Sequence, residues 1–373
     1  MQTRKPIDVP FVRIVLILTL TGFLIFTSAS FGLHARSTVP VLLVILKQFL
    51  VGVVGGIAAM IIFSKIHYRV YRRHAFYIFL ATIFITLLVY VPGIGFAHGG
   101  ALRWIDIGIA TFQPAELLKI GSIIYLAAWF SGLRNKLHKN QYGLIPLLIL
   151  LGIVGIILIS QPDAGTILVI ASAAIAMFIS AGARARDIIV IILVGSIALG
   201  GLILTKPYIL ERFKTFFDPG ADARGAGYQV QQSLIAIGSG QTFGRGFGQS
   251  IQKFSFLPEP SGDSIFAVAS EEFGFIGSLL LILLFLLFAY RGLSIATRAP
   301  DLFGGLLVMG IVILISAQSL INIGSMLGIF PLTGMPLLFV SHGGSALLVT
   351  LASVGIVLNV SRFTCTAQTE DKS

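Results

Sequence analysis

The residues of this chain best suited to chemistry are carboxylates set against apolar sequence. Asp263 follows the turn-forming stretch 257–262 (Leu-Pro-Glu-Pro-Ser-Gly) and precedes a long apolar run in which Glu271 and Glu272 also lie. Ionisable groups within a membrane span or at its edge are costly and are functional candidates by default. One carboxylate in such a place is a candidate for acid–base chemistry. A helix beginning at Asp263 would equally use it as a cap, where the dipole favours the ionised form. Glu116 and Lys119 stand three apart behind Gln113 and Pro114, on one face of a helix that the proline can open. They either neutralise each other or line a polar cavity. Glu271 falls roughly on the face of Asp263, about 12 Å deeper.

Cations are the second group. Arg245 and Lys253 are candidates for receiving an anion such as a pyrophosphate, and Arg103 and Lys119 stand among the outward polar residues. Arg245 and Lys253 border a glycine-rich stretch, 238–248, that has neither the dinucleotide nor the Walker spacing and no preceding strand. Its backbone amides can still receive an anion. Trp104 suits a substrate contact or an interfacial belt, and Asp106 is a loop acid. Asp163 reads as a helix cap. Ser341, His342 and Ser345 supply the polar lining of a Gly- and Pro-rich apolar segment, 322–345.

The elements that position these groups are membrane helices. The chain is 56% hydrophobic and 11% charged, against about 25% charged for a soluble domain. Its net charge of +11 reads as cytoplasmic-loop bias and not as nucleic-acid binding. Cys365 is the sole cysteine, which excludes an internal disulfide or a Cys metal site. Runs long enough to span a bilayer fall at 11–31, 40–62, 75–92, 112–130, 142–160, 164–181, 187–205, 264–290, 302–325 and 343–361, about ten helices in an all-α polytopic membrane protein. The sixth and seventh are the most uniformly apolar and read as scaffold.

Lys and Arg gather in alternate short loops, such as Lys65, Arg69, Arg72 and Arg73 after the second run and Arg134, Lys136 and Lys139 after the fourth. The positive-inside rule then puts both termini in the cytoplasm and the long 206–262 loop, between helices seven and eight, outside. Within that loop 208–217 reads as an interfacial helix, and 227–238 as an amphipathic segment at the membrane edge. The whole of 1–373 is expected to be one membrane domain.

Four motifs in order carry a family resemblance: Arg103-Trp-Ile-Asp106 with Phe112-Gln-Pro-Ala-Glu116 and Lys119; Gly227-Tyr-Gln229 with Gln232-Ser-Leu-Ile-Ala-Ile-Gly-Ser-Gly240; Leu257-Pro-Glu259 with Asp263, Ile265-Phe-Ala-Val268 and Glu271-Glu-Phe-Gly274; and Gly343-Gly-Ser345. Together they resemble the shape, elongation, division and sporulation family, which includes FtsW, RodA and SpoVE. Ser261-Gly262 stands where the family commonly has His-Thr, and His342 where it has Tyr. The stretch 244–253 and the terminal Asn359-Val-Ser-Arg362 are more similar to the division type than to the elongation type.

The resemblance implies a peptidoglycan glycosyltransferase that polymerises lipid II into β-1,4 glycan outside the cell and releases undecaprenyl pyrophosphate. It implies Asp263 as the essential acid, with Glu116 and Lys119 nearby. Arg103, Trp104, Arg245, Lys253, Glu259, Glu271, Ser341 and His342 are then candidates for substrate binding. No resident metal site is expected, although a divalent cation, Mg or Mn, is a candidate helper. A class B penicillin-binding transpeptidase and divisome or elongasome proteins are the implied partners. A RodA-type elongation polymerase and a lipid II flippase are the competing functions.

Overall fold

The computed structural model describes residues 6–32, 40–98, 101–106, 108, 111–137, 139–218, 220 and 225–363. Each predicted apolar run forms a helix. In chain order these are α1 (Val9–Ser30), α2 (Val41–Lys65), α3 (Arg69–Leu87), α4 (Pro114–Gly132), α5 (Leu144–Ser160), α6 (Ala164–Ser180) and α7 (Ala185–Thr205). Three short helices follow, α8 (Pro207–Phe217), α9 (Ala226–Ser239) and α10 (Gln252–Ser255). They lead into α11 (Ile265–Thr297), α12 (Leu302–Met326) and α13 (Gly344–Ser361). Among the described residues, 7 helices are long and apolar enough to cross a membrane. The remaining long helices have local reasons for missing that mark. α5 and α6 have 17 residues each, the lower end of a spanning length. α4 is diluted by Glu116 and Lys119.

Burial sorts the helices. α13 and α12 are central, with 89% and 72% of their most apolar windows buried, whereas the same figure for α7 is 6%. α7, read from sequence as scaffold, is peripheral and buries only Asp187 and Ile191. α6, read the same way, packs Val169, Ile170, Ala173, Ala174, Met177 and Phe178 into the core. α2 carries a π-helical segment, Gln48–Val54. Such widened turns often mark functional positions.

Two features depart from the all-helical expectation. The 93–113 connection forms a three-stranded antiparallel sheet, β1 (Gly95–His98), β2 (Ala101–Asp106) and β3 (Thr111–Phe112), with Phe96 opposite Trp104 and Ile105 opposite Phe112. And α11 is broken at Gly274, where φ is 66° and ψ −165°. A Cβ on Gly274 would stand 2.3 Å from the Gly244 nitrogen, so only glycine lets the glycine-rich loop lie against the break. The 337–341 segment meets α1 as closely: a Cβ on Gly22 would fall 2.1 Å from the Phe339 carbonyl oxygen.

Candidate functional site

The turn that carries Asp263 is fixed by its main chain. Leu257 is fully buried beneath it. Glu259 takes a left-handed φ of 43°, uncommon for a residue with a side chain. Its carbonyl accepts from the amides of Gly262 (2.9 Å) and Ser264 (3.3 Å). The carbonyls of residues 261, 262 and 263 are each held from outside the turn. Ser261 O accepts from the His342 amide at 2.7 Å. Gly262 O accepts from Ser341 Oγ at 2.6 Å. Asp263 O accepts from Asn322 Nδ2 at 2.9 Å. The polar residues of the 341–345 segment and of α12 thus serve first to aim Asp263.

The Asp263 carboxyl is half-buried and faces α9 and α8. Gln229 Nε2 donates to its Oδ1 at 3.1 Å and to Ser264 Oγ at 2.9 Å. Burial pushes the Asp263 carboxyl up to about 6, with Glu259 adding to the rise, while the Gln229 hydrogen bond and the positive charge of Arg212 oppose it. Arg212 projects from α8 into the same region and donates from Nη1 to the Thr333 carbonyl at 2.9 Å. Burial and then the nearby Arg103 charge hold its guanidinium below the usual arginine value, and Asp263 opposes them. Arg103 itself is tied from Nε to Gln161 O at 2.7 Å, and from Nη2 to Pro162 O. Asp263 thus feels the positive charge of Arg212 from α8, while Arg103 of β2 acts on Arg212 and is held by the carbonyls of residues 161 and 162.

Glu116 and Lys119 form an ion pair of 2.7 Å, almost wholly buried. Lys119 Nζ also donates to Gln318 Oε1 at 2.6 Å, and Gln318 Nε2 donates to Pro336 O at 3.1 Å. Gln318 lies one turn from Asn322 on α12. The pair and the Asp263 main chain accordingly hang on successive turns of one central helix, but the pair's charges are satisfied within the protein.

The other candidates separate by geometry. The reading of Lys253 as a receiver for pyrophosphate is corrected: it is fully buried, paired with Glu272 at 2.7 Å and donating to Ser28 Oγ at 3.0 Å. Glu271 likewise is structural. It accepts from Ser250 Oγ (2.6 Å) and from the amides of Ile251 (3.1 Å) and Gln252 (3.2 Å). Its remaining charge faces Arg245, at 3.3 Å. Glu271 and Glu272 pin the 240–256 segment to α11 and α1, and a lysine in a glycine-rich loop looks available only until that burial is seen. Asp163 is the cap of α6, accepting from Thr166 N (3.2 Å) and Oγ1 (2.8 Å).

Beside the Asp263 turn lies a cavity of about 470 Å³. Trp104 and Asp106 of the sheet, His342 and Ser345, and Lys47 and Gln48 of α2 line it. His342 stacks on Phe26 with centroids 5.7 Å apart. Arg212, Gln229, Gln318, Asn322 and Lys47 carry no role in the sequence reading. The available signal was that Gln229 lies within a motif, that Asn322 opens the 322–345 segment and that Lys47 is a lysine inside an apolar run.

A carboxylate clamped just ahead of a broken helix, within a bundle of apolar helices, describes a polytopic membrane protein. The family model described as "Cell cycle protein" (FtsW, RodA, SpoVE) matches residues 9–366. The chain belongs to that family. It is 40% identical over 308 residues to the stage V sporulation protein E of Bacillus subtilis, covering 83% of this chain and 84% of that protein. It is 37% identical over 354 residues to a probable peptidoglycan glycosyltransferase FtsW of Geobacter sp. strain M18, covering 95% and 96%. Among solved structures, the rod shape determining protein RodA of Thermus thermophilus superposes with a TM-score of 0.71 at 27% identity, covering 96% of this chain and 98% of that one. A chain from a structure described as a peptidoglycan synthase complex coordinating polymerization and crosslinking gives 0.78 at 26% identity, with 95% and 98% coverage.

Proposed function

We propose that this protein is a peptidoglycan glycosyltransferase that polymerises lipid II on the outer face of the cytoplasmic membrane in septal wall synthesis. The observation that carries the chemical reading is the Asp263 carboxyl: three main-chain clamps aim it, Gln229 orients it, and burial brings it to about 6. A carboxylate in that range is a competent base near neutral pH.

In the reaction the 4-hydroxyl oxygen of one saccharide attacks the anomeric carbon of another. The bond from that carbon to the pyrophosphate oxygen breaks, and its electron pair leaves with undecaprenyl pyrophosphate. Asp263 takes the hydroxyl proton. Arg212, whose charge reaches the carboxylate, stabilises negative charge as it moves towards the leaving group. Among the described residues no group of three or more His, Cys, Asp or Glu side chains is placed to hold a metal ion. A divalent cation would enter with the substrate's phosphates. Asp106, which lines the cavity, would be the carboxylate to hold it.

The outward placement is supported by the Lys and Arg alternation of the loops. A class B penicillin-binding transpeptidase is the proposed partner, supported by the likeness to a chain of a complex described as joining polymerization to crosslinking. The decisive experiment supplies purified protein with lipid II in detergent, where transport has no meaning. Glycan polymer from the wild type and none from Asp263→Ala supports the transferase. Undiminished polymer from Asp263→Ala removes Asp263 as the base.

A further inference from the structure

The pyrophosphate of a polyprenyl-linked donor needs cations. Lys119 and Lys253 are buried in ion pairs, and Arg245 faces Glu271. The cavity beside the Asp263 turn has a cation that none of these pairs engages. Lys47 lies on α2 inside a membrane-spanning run, is exposed, and lines the cavity. It forms no hydrogen bond or ion pair among the described residues. A lysine within a span is retained where it meets a counter-ion or a water-filled cavity.

The same cavity receives the N-terminus of α13, a helix of 18 residues whose N-cap, Gly343, offers no side-chain cap. The Gly343 amide is satisfied by Gln48 Oε1 at 3.3 Å, and Leu347 N donates to Gly343 O at 3.0 Å. Among the described residues the amides of Gly344, Ser345 and Ala346 therefore stand as the unpaired first-turn donors of the helix. Ser345 Oγ, on a residue only 6% exposed, has no hydrogen-bond partner and lines the cavity. Gln48 also donates to Ser341 O at 3.4 Å. It thereby ties the π-helical segment of α2 to the start of α13 and sets Lys47 beside it. Asp106 lines the cavity from the sheet side, with Oδ1 accepting from the Gly108 amide at 2.7 Å.

We propose that the pocket made by Lys47, Ser345 and the first-turn amides of α13 holds the pyrophosphate of the lipid-linked donor. This assignment rests on the glycosyl-transfer reading above. Helix N-termini present amides and positive potential to phosphates, and Lys47 adds a point charge. The His342 amide, bonded to Ser261 O, joins the pocket rim to the Asp263 turn. The leaving group and the base are thus held by adjoining segments of chain.

The test is equilibrium binding of undecaprenyl pyrophosphate to the full-length protein in phosphatidylcholine nanodiscs. Lys47→Gln is expected to weaken binding about tenfold or more, the loss of one charged hydrogen bond. Lys47→Arg is expected to stay within about threefold, since it keeps the charge. Undecaprenol, which has no phosphate, is expected to bind both proteins alike. Unchanged affinity for the pyrophosphate in folded Lys47→Gln overturns the assignment. Displacement by phosphatidylglycerol at equal concentration also overturns it, since the pocket would then take any phospholipid headgroup. Should Lys47→Gln misfold, Ser345→Val decides: wild-type affinity there rejects the site. Asp263→Asn is expected to bind as wild type while making no polymer. Polymer from that variant would fault the base and leave the pocket standing, whereas unaltered binding by Lys47→Gln would fault the pocket alone.

Discussion

Asn322 holds the main chain of Asp263 and not its carboxyl. Its Nδ2 donates at 2.9 Å to Asp263 O and at 2.8 Å to Met335 O, joining the turn before α11 to the segment after α12. The carboxyl is left to Gln229 on a different helix. Position and orientation of this side chain are therefore set by separate residues and can be perturbed separately.

Replacing Asn322 removes the donor from two carbonyls at once. Asn322→Ala is expected to cost about 1–3 kcal/mol, the price of leaving buried acceptors unmet. Polymerisation should fall with it, because the turn loses one of its three clamps. Thermal melting and initial rates on lipid II measure the two effects.

The pH profile follows from Asp263. The base works ionised, so the rate is expected to rise with pH through about 6. Gln229 supports the ionised form. Gln229→Leu should move the acid limb to higher pH, and Arg212→Gln should do the same by removing a stabilising positive charge. Rate against pH, with the variants compared at saturating lipid II, checks both directions.

The same shift acts on stability. The folded carboxyl binds its proton more tightly than the free value of 3.8, so its favourable contribution is complete below about 4 and is lost as pH rises through about 6. Asp263→Asn is accordingly expected to melt higher than wild type at pH 8, by about 1–3 kcal/mol, and to lose that advantage near pH 4. Melting curves at the two pH values are the measurement.

Lys253→Met leaves the Glu272 carboxylate enclosed with Ser28 and no counter-charge. Removing one partner of a buried pair costs about 3–5 kcal/mol. The double variant Lys253→Met, Glu272→Gln should recover much of it. Recovery of melting temperature in the double variant, against each single one, is the check.

Gly274→Ala forces a methyl group onto the Gly244 amide. The 240–256 loop should lift from α11, and a cost of about 1–3 kcal/mol is expected from the overlap and the left-handed φ. Limited proteolysis within 240–256 reports the release.

The spans were legible because an apolar run has a length, and length is all that a crossing helix needs. The sheet at 95–112 was not, since its strands are short and interrupted by glycine, with little alternation to read. Asp263 was legible as a carboxylate after two prolines. Its helpers were not: an amphipathic pattern says which face of α8 is polar but not that the charge of Arg212 acts on Asp263. Lys253 misled for the converse reason. Its partner Ser28 is 225 positions away, and nothing in the local sequence announces the enclosure.

The spacing of Glu116 and Lys119 has a consequence for biogenesis. Because the two charges are one helical turn apart, α4 carries its own counter-ion before any neighbour arrives. The segment can be handed from the ribosome to the bilayer as an internally neutral zwitterion, and it need not wait for α12 to be made. Gln318 then arrives late, as a hydrogen-bonding partner for a lysine already at rest.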